Sequence, residues 1–191
     1  NEIPNNQPLM FLAADHLIEK NNLFIKFINK NKIHLNNENI FIFGIKPTNP
    51  SSEYGYFLTK KINKNINKVT KFIEKPNIKR AKSIISKKGY WNSGMFLMRK
   101  DSIINNYKKF QPNIFINCSK SVIKSKKGKN IYRLNKFFYV KAANKSFDYA
   151  ILEKAKKINA VKLDIPWSDL GSWKEICKMY DRNKNKYIQK N

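Results

Sequence analysis

Several short segments of this chain set an acid, an amide or a lysine beside a glycine, a proline or the end of an apolar run, where side chains are displayed rather than packed. Asp15 closes the run Leu9–Ala14, and Pro8 to Ala14 reads as a buried parallel strand with an acid at its carboxyl end, the end where open α/β sheets bind ligands. Taken by itself, Asp15 reads equally as a ligand for a hard cation or as a helix cap. Glu74 and Lys75 follow the apolar stretch Val69–Ile73 and precede Pro76, which fixes the exit of the chain. A carboxylate there can accept hydrogen bonds from two hydroxyls, and an ammonium can neutralise a phosphate. In so Lys-rich a chain, an isolated Glu-Lys pair also reads as a solvated turn. Gly55, between Tyr54 and Tyr56, lets a ligand approach the backbone closely or makes a bulge. The triplet Asn92-Ser93-Gly94 interrupts the apolar strand Tyr90–Met98, as a bulge or as an amide able to donate to and accept from a hydroxyl. Asp148, near the start of a helical stretch, complements a helix dipole or shapes a pocket.

The elements that must position these residues follow from periodicity. A helical stripe from Leu17 to Ile33 separates the first strand from a second at Ile40–Ile45, which predicts a crossover unit. A loop over Lys46–Glu53 leads to strands at Tyr54–Thr59 and Val69–Glu74, then a helix at Ile78–Lys88 stopped by Gly89. Helices are predicted at Ser102–Phe110, Pro112–Ile123, Phe147–Lys157 and Ser172–Tyr180, with an exposed connection at Lys124–Asn130 and a strand at Ala160–Ile165. Residues 183–191 are polar and read as a frayed tail, leaving 1–182 as one domain.

Composition bounds function less than the net charge of +26 suggests. The excess is 35 Lys against 4 Arg, accompanied by 27 Asn and 25 Ile, the residues that AT-rich codons encode. Base bias therefore accounts for the charge better than a nucleic-acid surface does, although any basic face attracts polyanions. Two cysteines, Cys118 and Cys177, have neither CxxC spacing nor a histidine cluster nearby, which argues against a disulfide framework or a zinc site and for a reduced, cytoplasmic setting. No apolar run approaches the roughly 18 residues of a spanning helix, so no membrane association is expected.

Four groups of segments, in order and spacing, resemble the mannose-1-phosphate guanylyltransferase branch of the sugar nucleotidyltransferases. They are Leu12-Ala13-Ala14-Asp15-His16; Tyr54-Gly55-Tyr56 with Phe72-Ile73-Glu74-Lys75-Pro76; Tyr90-Trp91-Asn92-Ser93-Gly94-Met95-Phe96; and Phe147-Asp148-Tyr149-Ala150 with Trp167-Ser168-Asp169-Leu170-Gly171-Ser172-Trp173. The resemblance implies an α/β fold with a Rossmann-like nucleotidyltransferase sheet and flanking helices. It also implies the reaction of mannose-1-phosphate with GTP to give GDP-mannose and pyrophosphate, in polysaccharide biosynthesis. Asp15 and Asp169 would hold Mg²⁺ and, with Lys75, form the catalytic set. Tyr54, Gly55, Glu74, Lys75, Asn92, Gly94 and Asp148 would bind the sugar phosphate. His16 is expected to be structural, and Trp91, Trp167 and Trp173 to be core.

The family's glycine-rich nucleotide loop has no counterpart here, since Gly44 is the first glycine, and Ala143-Asn144 stands where relatives carry a Cys-Pro pair. The expectation is a chain without the first strand-loop-helix portion, inactive alone, whose partners are its substrates and a second copy or a complementing N-terminal fragment. The alternatives are a nucleotidyltransferase for another hexose-1-phosphate and a non-catalytic basic module that binds polyanions.

Overall fold

The structure is a computed structural model that describes residues 3–62, 66–129, 131–171, 173, 176 and 177. Along the chain run β1 (Pro8–Phe11), β2 (Leu17–Ile18), α1 (Asn21–Lys32), β3 (Ile40–Ile45), β4 (Tyr56–Lys61), β5 (Asn67–Ile73), α2 (Ile78–Ser86) and β6 (Tyr90–Arg99). Then follow α3 (Lys100–Phe110), α4 (Pro112–Ile123), β7 (Lys126–Lys127), β8 (Tyr132–Arg133), α5 (Lys136–Lys141), a π-helical turn (Asp148–Leu152), β9 (Ile158–Leu163) and β10 (Trp167–Ser168).

The main sheet has the order β1-β6-β3-β9-β5-β4. Its centre is β3, whose sequence IFIFGI is apolar at every position because both of its faces are covered. Phe41, Phe43 and Ile45 point to one side and pack with Phe24 of α1 and with Ala81 and Ile84 of α2. Ile40 and Ile42 point to the other, against Ala150, Ile151 and Leu152 of the π-turn, with Ile103 and Tyr107 of α3 alongside. The strand's period of two thus divides a single buried run between two helical layers.

Among the described residues only β3 and β9 run parallel; β1–β6, β3–β6, β4–β5, β5–β9 and β4–β6 are antiparallel. Because β4 pairs with both β5 and β6, the strands β6-β3-β9-β5-β4 close on themselves at the end where Tyr56 faces Trp91. The crossover through α1 does join two strands of like direction, but β6 lies between them.

Local chemistry explains the helix ends. Asn77 caps α2 by accepting from the Arg80 N–H at 2.9 Å, and Gly89 ends it with an N–H to the Ile84 carbonyl at 3.0 Å. Pro112 opens α4, where its missing N–H would have had no partner.

Several expectations are corrected. The first strand is not a buried parallel one: it spans only Pro8–Phe11, pairs antiparallel with β6, and leaves Phe11 and Leu12 exposed. Its apolar run resembles that of a central strand, yet among the described residues it has a neighbour on one side alone. Leu17 and Ile18 belong to a two-stranded ribbon with β10 rather than to α1. The Lys-rich connection contains the hairpin β7–β8, followed by a helix, α5, that its short, weakly periodic sequence did not announce. The helix expected from Phe147 is a π-turn only five residues long. Trp173 is not core, being 82% exposed. The expected helix Ser172–Tyr180 is described only at residues 173, 176 and 177, and the tail 183–191 lies outside the described residues. Cys118 and Cys177 are free and exposed, and no helix among the described residues is long and apolar enough to cross a membrane.

Gly44 gives a direct test of this packing. A Cβ there would stand 2.5 Å from Cζ of the buried Phe57 ring and 3.1 Å from Cβ of Tyr90, neither of which can swing away. Gly44→Ala should therefore destabilise the fold by about 1–3 kcal/mol through overpacking, read from urea unfolding.

Candidate functional site

The closed end of the sheet gathers the sequence-marked residues. Gly55 enters β4 with its carbonyl accepting from the Asn92 N–H at 2.7 Å. A Cβ on Gly55 would fall 2.4 Å from Glu74 Oε2 and 3.4 Å from Asn92 Cβ, so the Glu74 carboxylate occupies the space that any other residue would fill. Asn92 Nδ2 donates to Asp148 Oδ1 at 2.8 Å. Gly55, Glu74, Asn92 and Asp148 therefore form one contiguous polar group, delivered by three strands and the π-turn. Asn92 plays a narrower part than its amide allows, because its donor half is committed to Asp148 while Oδ1 is buried without a protein partner. The triplet around it is also a bulge: between Ile42 and Gly44 the register against β6 slips from Phe96 to Asn92.

Lys75 follows directly, in the left-handed region at φ 41°. Such a conformation is uncommon for a residue bearing a Cβ and concentrates at functional sites. With Glu74, Lys145, Ser146, Tyr149 and Lys154 it lines an open cavity of about 620 Å³. Lys145 and Lys154 were invisible as site residues in the sequence, where one lysine looks like the next.

On the other side of Gly55, Tyr54 donates its hydroxyl to Asp169 Oδ1 at 3.0 Å, and its ring packs 4.7 Å from Trp91 and 5.9 Å from Trp167, centroid to centroid. The ribbon β2–β10 pairs Ser168 with Leu17. Asp169, after Ser168, and Asp15, two before Leu17, consequently sit at the same end of one ribbon although 154 positions separate them. His16 lies between, edge-on to Trp167 at 5.3 Å, and its Cε1 would stand 3.6 Å from a Cβ at Gly94. Gly94 has φ 71°, which its lack of a Cβ permits at little cost. Asp169 Oδ1 also accepts from the Gly171 N–H at 3.3 Å. Among the described residues no group of three or more His, Cys, Asp or Glu gathers as a self-sufficient metal cage. Two oxygen-donating carboxylates nonetheless suit Mg²⁺, which is usually held by one or two carboxylates plus substrate phosphates.

Buried side-chain polar atoms without a protein partner concentrate here: His16 Nδ1, Glu74 Oε2, Trp91 Nε1, Asn92 Oδ1 and Trp167 Nε1. Burial of such atoms costs on the order of 1–3 kcal/mol each, so a cluster of them suits a site for a polar ligand better than a packed core.

The electrostatics agree. Burial, followed by the nearby Asp148 charge, raises the Glu74 pKa to about 7, with Lys75 opposing and Glu153 adding to the rise. Burial also raises Asp148, against the hydrogen bond from Asn92. Glu153, which sequence reading missed, accepts from the Glu74 N–H at 3.4 Å. A carboxyl with a higher pKa folded than unfolded contributes stability that is complete below the unfolded value, about 4.5, and lost as pH rises through about 7. Glu74→Gln, which cannot ionise, should gain stability relative to the parent between pH 5 and pH 8. Unfolding midpoints of both proteins at the two pH values check this, and a pH-independent difference would contradict the assignment.

Known proteins share this sequence and fold. A mannose-1-phosphate guanylyltransferase of Escherichia coli is 33% identical over 183 residues, covering 92% of this chain and 39% of that protein. A xanthan biosynthesis protein of Xanthomonas campestris is 32% identical over 176 residues, covering 92% and 38%. The chain thus spans about two fifths of the length of these relatives. In three dimensions it matches a Helicobacter pylori protein described as a mannose-6-phosphate isomerase, with a TM-score of 0.78 and 26% identity, over 87% of this chain and 66% of that one. It also matches a Thermus thermophilus protein described as a mannose-1-phosphate geranyltransferase, with a TM-score of 0.77 and 23% identity, over 87% and 47%. The family model described as Nucleotidyl transferase matches residues 1–186, and the chain belongs to that family.

Proposed function

We propose that this chain is the sugar-phosphate-binding portion of an enzyme that transfers GMP from GTP to mannose-1-phosphate, giving GDP-mannose and pyrophosphate. The observation that carries the reading is the adjacency of one hydroxyl-binding group, Gly55, Glu74, Asn92 and Asp148, to a lysine on one side and to the Tyr54–Asp169 contact on the other. Mannose and guanine rest on the similarity to mannose-1-phosphate guanylyltransferases. Residues 1–182 act as one domain in this reading, with 183–191 as a tail.

Each residue type has a task in such a transfer. The Glu74 carboxylate and Asn92 Oδ1 accept from sugar hydroxyls, and Gly55 lets the ring reach the backbone. Asp148 holds the Asn92 amide by accepting from its Nδ2, which leaves Oδ1 unpaired. Lys75 neutralises the sugar's phosphate, whose oxygen attacks the α-phosphorus of GTP; a P–O bond forms there as the bond to the β-phosphate bridging oxygen breaks and pyrophosphate leaves. Asp15 and Asp169 would hold Mg²⁺, which supplies charge neutralisation at the phosphates when bound. Tyr54 fixes the Asp169 carboxylate, and Gly94 adopts the positive φ of the bulge beside His16. Catalysis of this kind rests on positioning and electrostatics, so these contacts matter in proportion to how rigidly they are held.

Calorimetry separates the roles. Lys75→Met should weaken mannose-1-phosphate about 10- to 100-fold, the loss expected for one charge-assisted contact, while leaving free mannose nearly unaffected. Equal affinity of the parent for glucose-1-phosphate would move the reading to another hexose. Asp169→Asn should leave sugar-phosphate binding without Mg²⁺ intact and remove the enhancement that Mg²⁺ gives to GTP binding; an unchanged Mg²⁺ effect would exclude Asp169 as a ligand.

A further inference from the structure

Beside the motif cleft, a cavity of about 800 Å³ lies over the outer part of the β4–β5 hairpin, within the range of small-ligand sites. Lys60, Lys61, Lys68, Lys71 and Lys156 line it, against a single acid, Glu153. Lys-rich composition alone does not produce this: the groove beside Leu17 and Pro166 carries two lysines and two acids, and the one beside Phe11 and Phe147 carries no charge. The lysines are also placed against their own repulsion. Lys60 and Lys68 are direct partners in the antiparallel pair, where like charges destabilise. The ion pairs among the described residues, Arg99–Asp101 and Lys157–Glu38, involve none of the five. Glu153 is turned elsewhere, with a carboxylate oxygen accepting from the Glu74 N–H. The floor is apolar, formed by the buried Val69, Leu152 and Ile158.

We infer that this cavity binds an organic polyphosphate, its phosphates bridging the opposed lysines and its apolar or aromatic group seated on Val69, Leu152 and Ile158. An anion between Lys60 and Lys68 converts their repulsion into two attractions. The floor distinguishes such a ligand from a bare polyphosphate, which would leave it in water. This site adjoins the motif cleft through Glu153, which reaches the Glu74 N–H, but is lined by different lysines and, lacking a second carboxylate, needs no divalent cation.

The test uses the full chain and the fluorescent nucleotide mant-ATP, titrated in EDTA so that any metal-dependent nucleotide binding is silent. Saturable binding is expected, tighter than that of inorganic tripolyphosphate. Lys68→Glu and Lys156→Glu should each weaken it roughly 10-fold or more, whereas the charge-matched control Lys126→Glu on the β7–β8 hairpin should not. Lys68→Glu should at the same time raise the unfolding temperature by roughly 1–3 °C, because it replaces a like-charge pair by an opposite one; this also shows that the variant folds. The assignment fails if the control variant loses as much affinity as the cavity variants, if mant-ATP does not bind in EDTA, or if tripolyphosphate binds as tightly as mant-ATP. It fails equally if single-stranded DNA displaces the probe more effectively than ATP does, since the face would then serve a macromolecular polyanion.

Discussion

The contact on which the rest of this structure depends is the approach of Gly55 to Glu74 and Asn92. Where β4 pairs with both β5 and β6, a Cβ at residue 55 would fall 2.4 Å from Glu74 Oε2, so the glycine leaves the space that the carboxylate fills. At this contact five strands close on themselves, the end of β5 lies beside the bulge in β6, and the Asn92 amide donates to Asp148 on the π-turn. Tyr54, one residue before Gly55, lies on the opposite side, where its hydroxyl meets Asp169. Elements with no local reason to meet are thereby held within hydrogen-bonding reach.

What gathers at this contact is unfavourable for folding alone. Two carboxyls are desolvated together: burial raises Glu74 to about 7 against the opposing Lys75, and raises Asp148 against hydrogen bonds from its own backbone and from Asn92. Five buried polar atoms nearby lack a protein partner. Left-handed backbone recurs at Lys75, Gly94 and Leu170, each within the motif segments. Desolvated charge, unpaired polar atoms and strained backbone persist together only where the surrounding packing over-determines them, and β3 with its two covered faces supplies that packing. The rigid centre and the costly rim are parts of one arrangement.

Much of this was legible in the sequence for physical reasons that differ from element to element. The buried run of β3, the capped helix α2 and the proline-started α4 each carry a strong local signal, and all three stand as read. The candidate site residues stood out in the sequence because glycine, proline and acids punctuate apolar strands at Gly55, Pro76 and Gly94. What failed had no local cause. The position of β1 at an edge depends on which strand pairs with it, and its apolar run is the same either way. Leu17 and Ile18 fit a helical stripe as well as a ribbon, and their pairing with Trp167 and Ser168 is set nearly 150 residues away. The π-turn is held partly from a distant segment, Gln111 of the α3–α4 junction, whose side chain donates to the Ala150 carbonyl at 2.9 Å. Glu153 carries no motif, and its importance comes wholly from lying beside Glu74.

Charge shows the same separation between what a sequence counts and what a fold arranges. Lysines are spread evenly along the chain, and a net charge of +26 by itself predicts only non-specific attraction to anions, weakened by salt. Folding distributes them unevenly. Strand register sets Lys60 against Lys68, and the turn before β9 adds Lys156, so residues nearly a hundred positions apart share one cavity. Elsewhere lysines lie over aromatic rings, as Lys141 over Phe137 and Lys162 over Tyr90, where the ring face offsets part of their charge. Base composition can explain how many lysines the chain has, but it cannot explain why cavities differ in the balance of lysine and acid on their walls. That difference is a property of strand pairing, which is why the charge of this protein carries information only once its strands are placed.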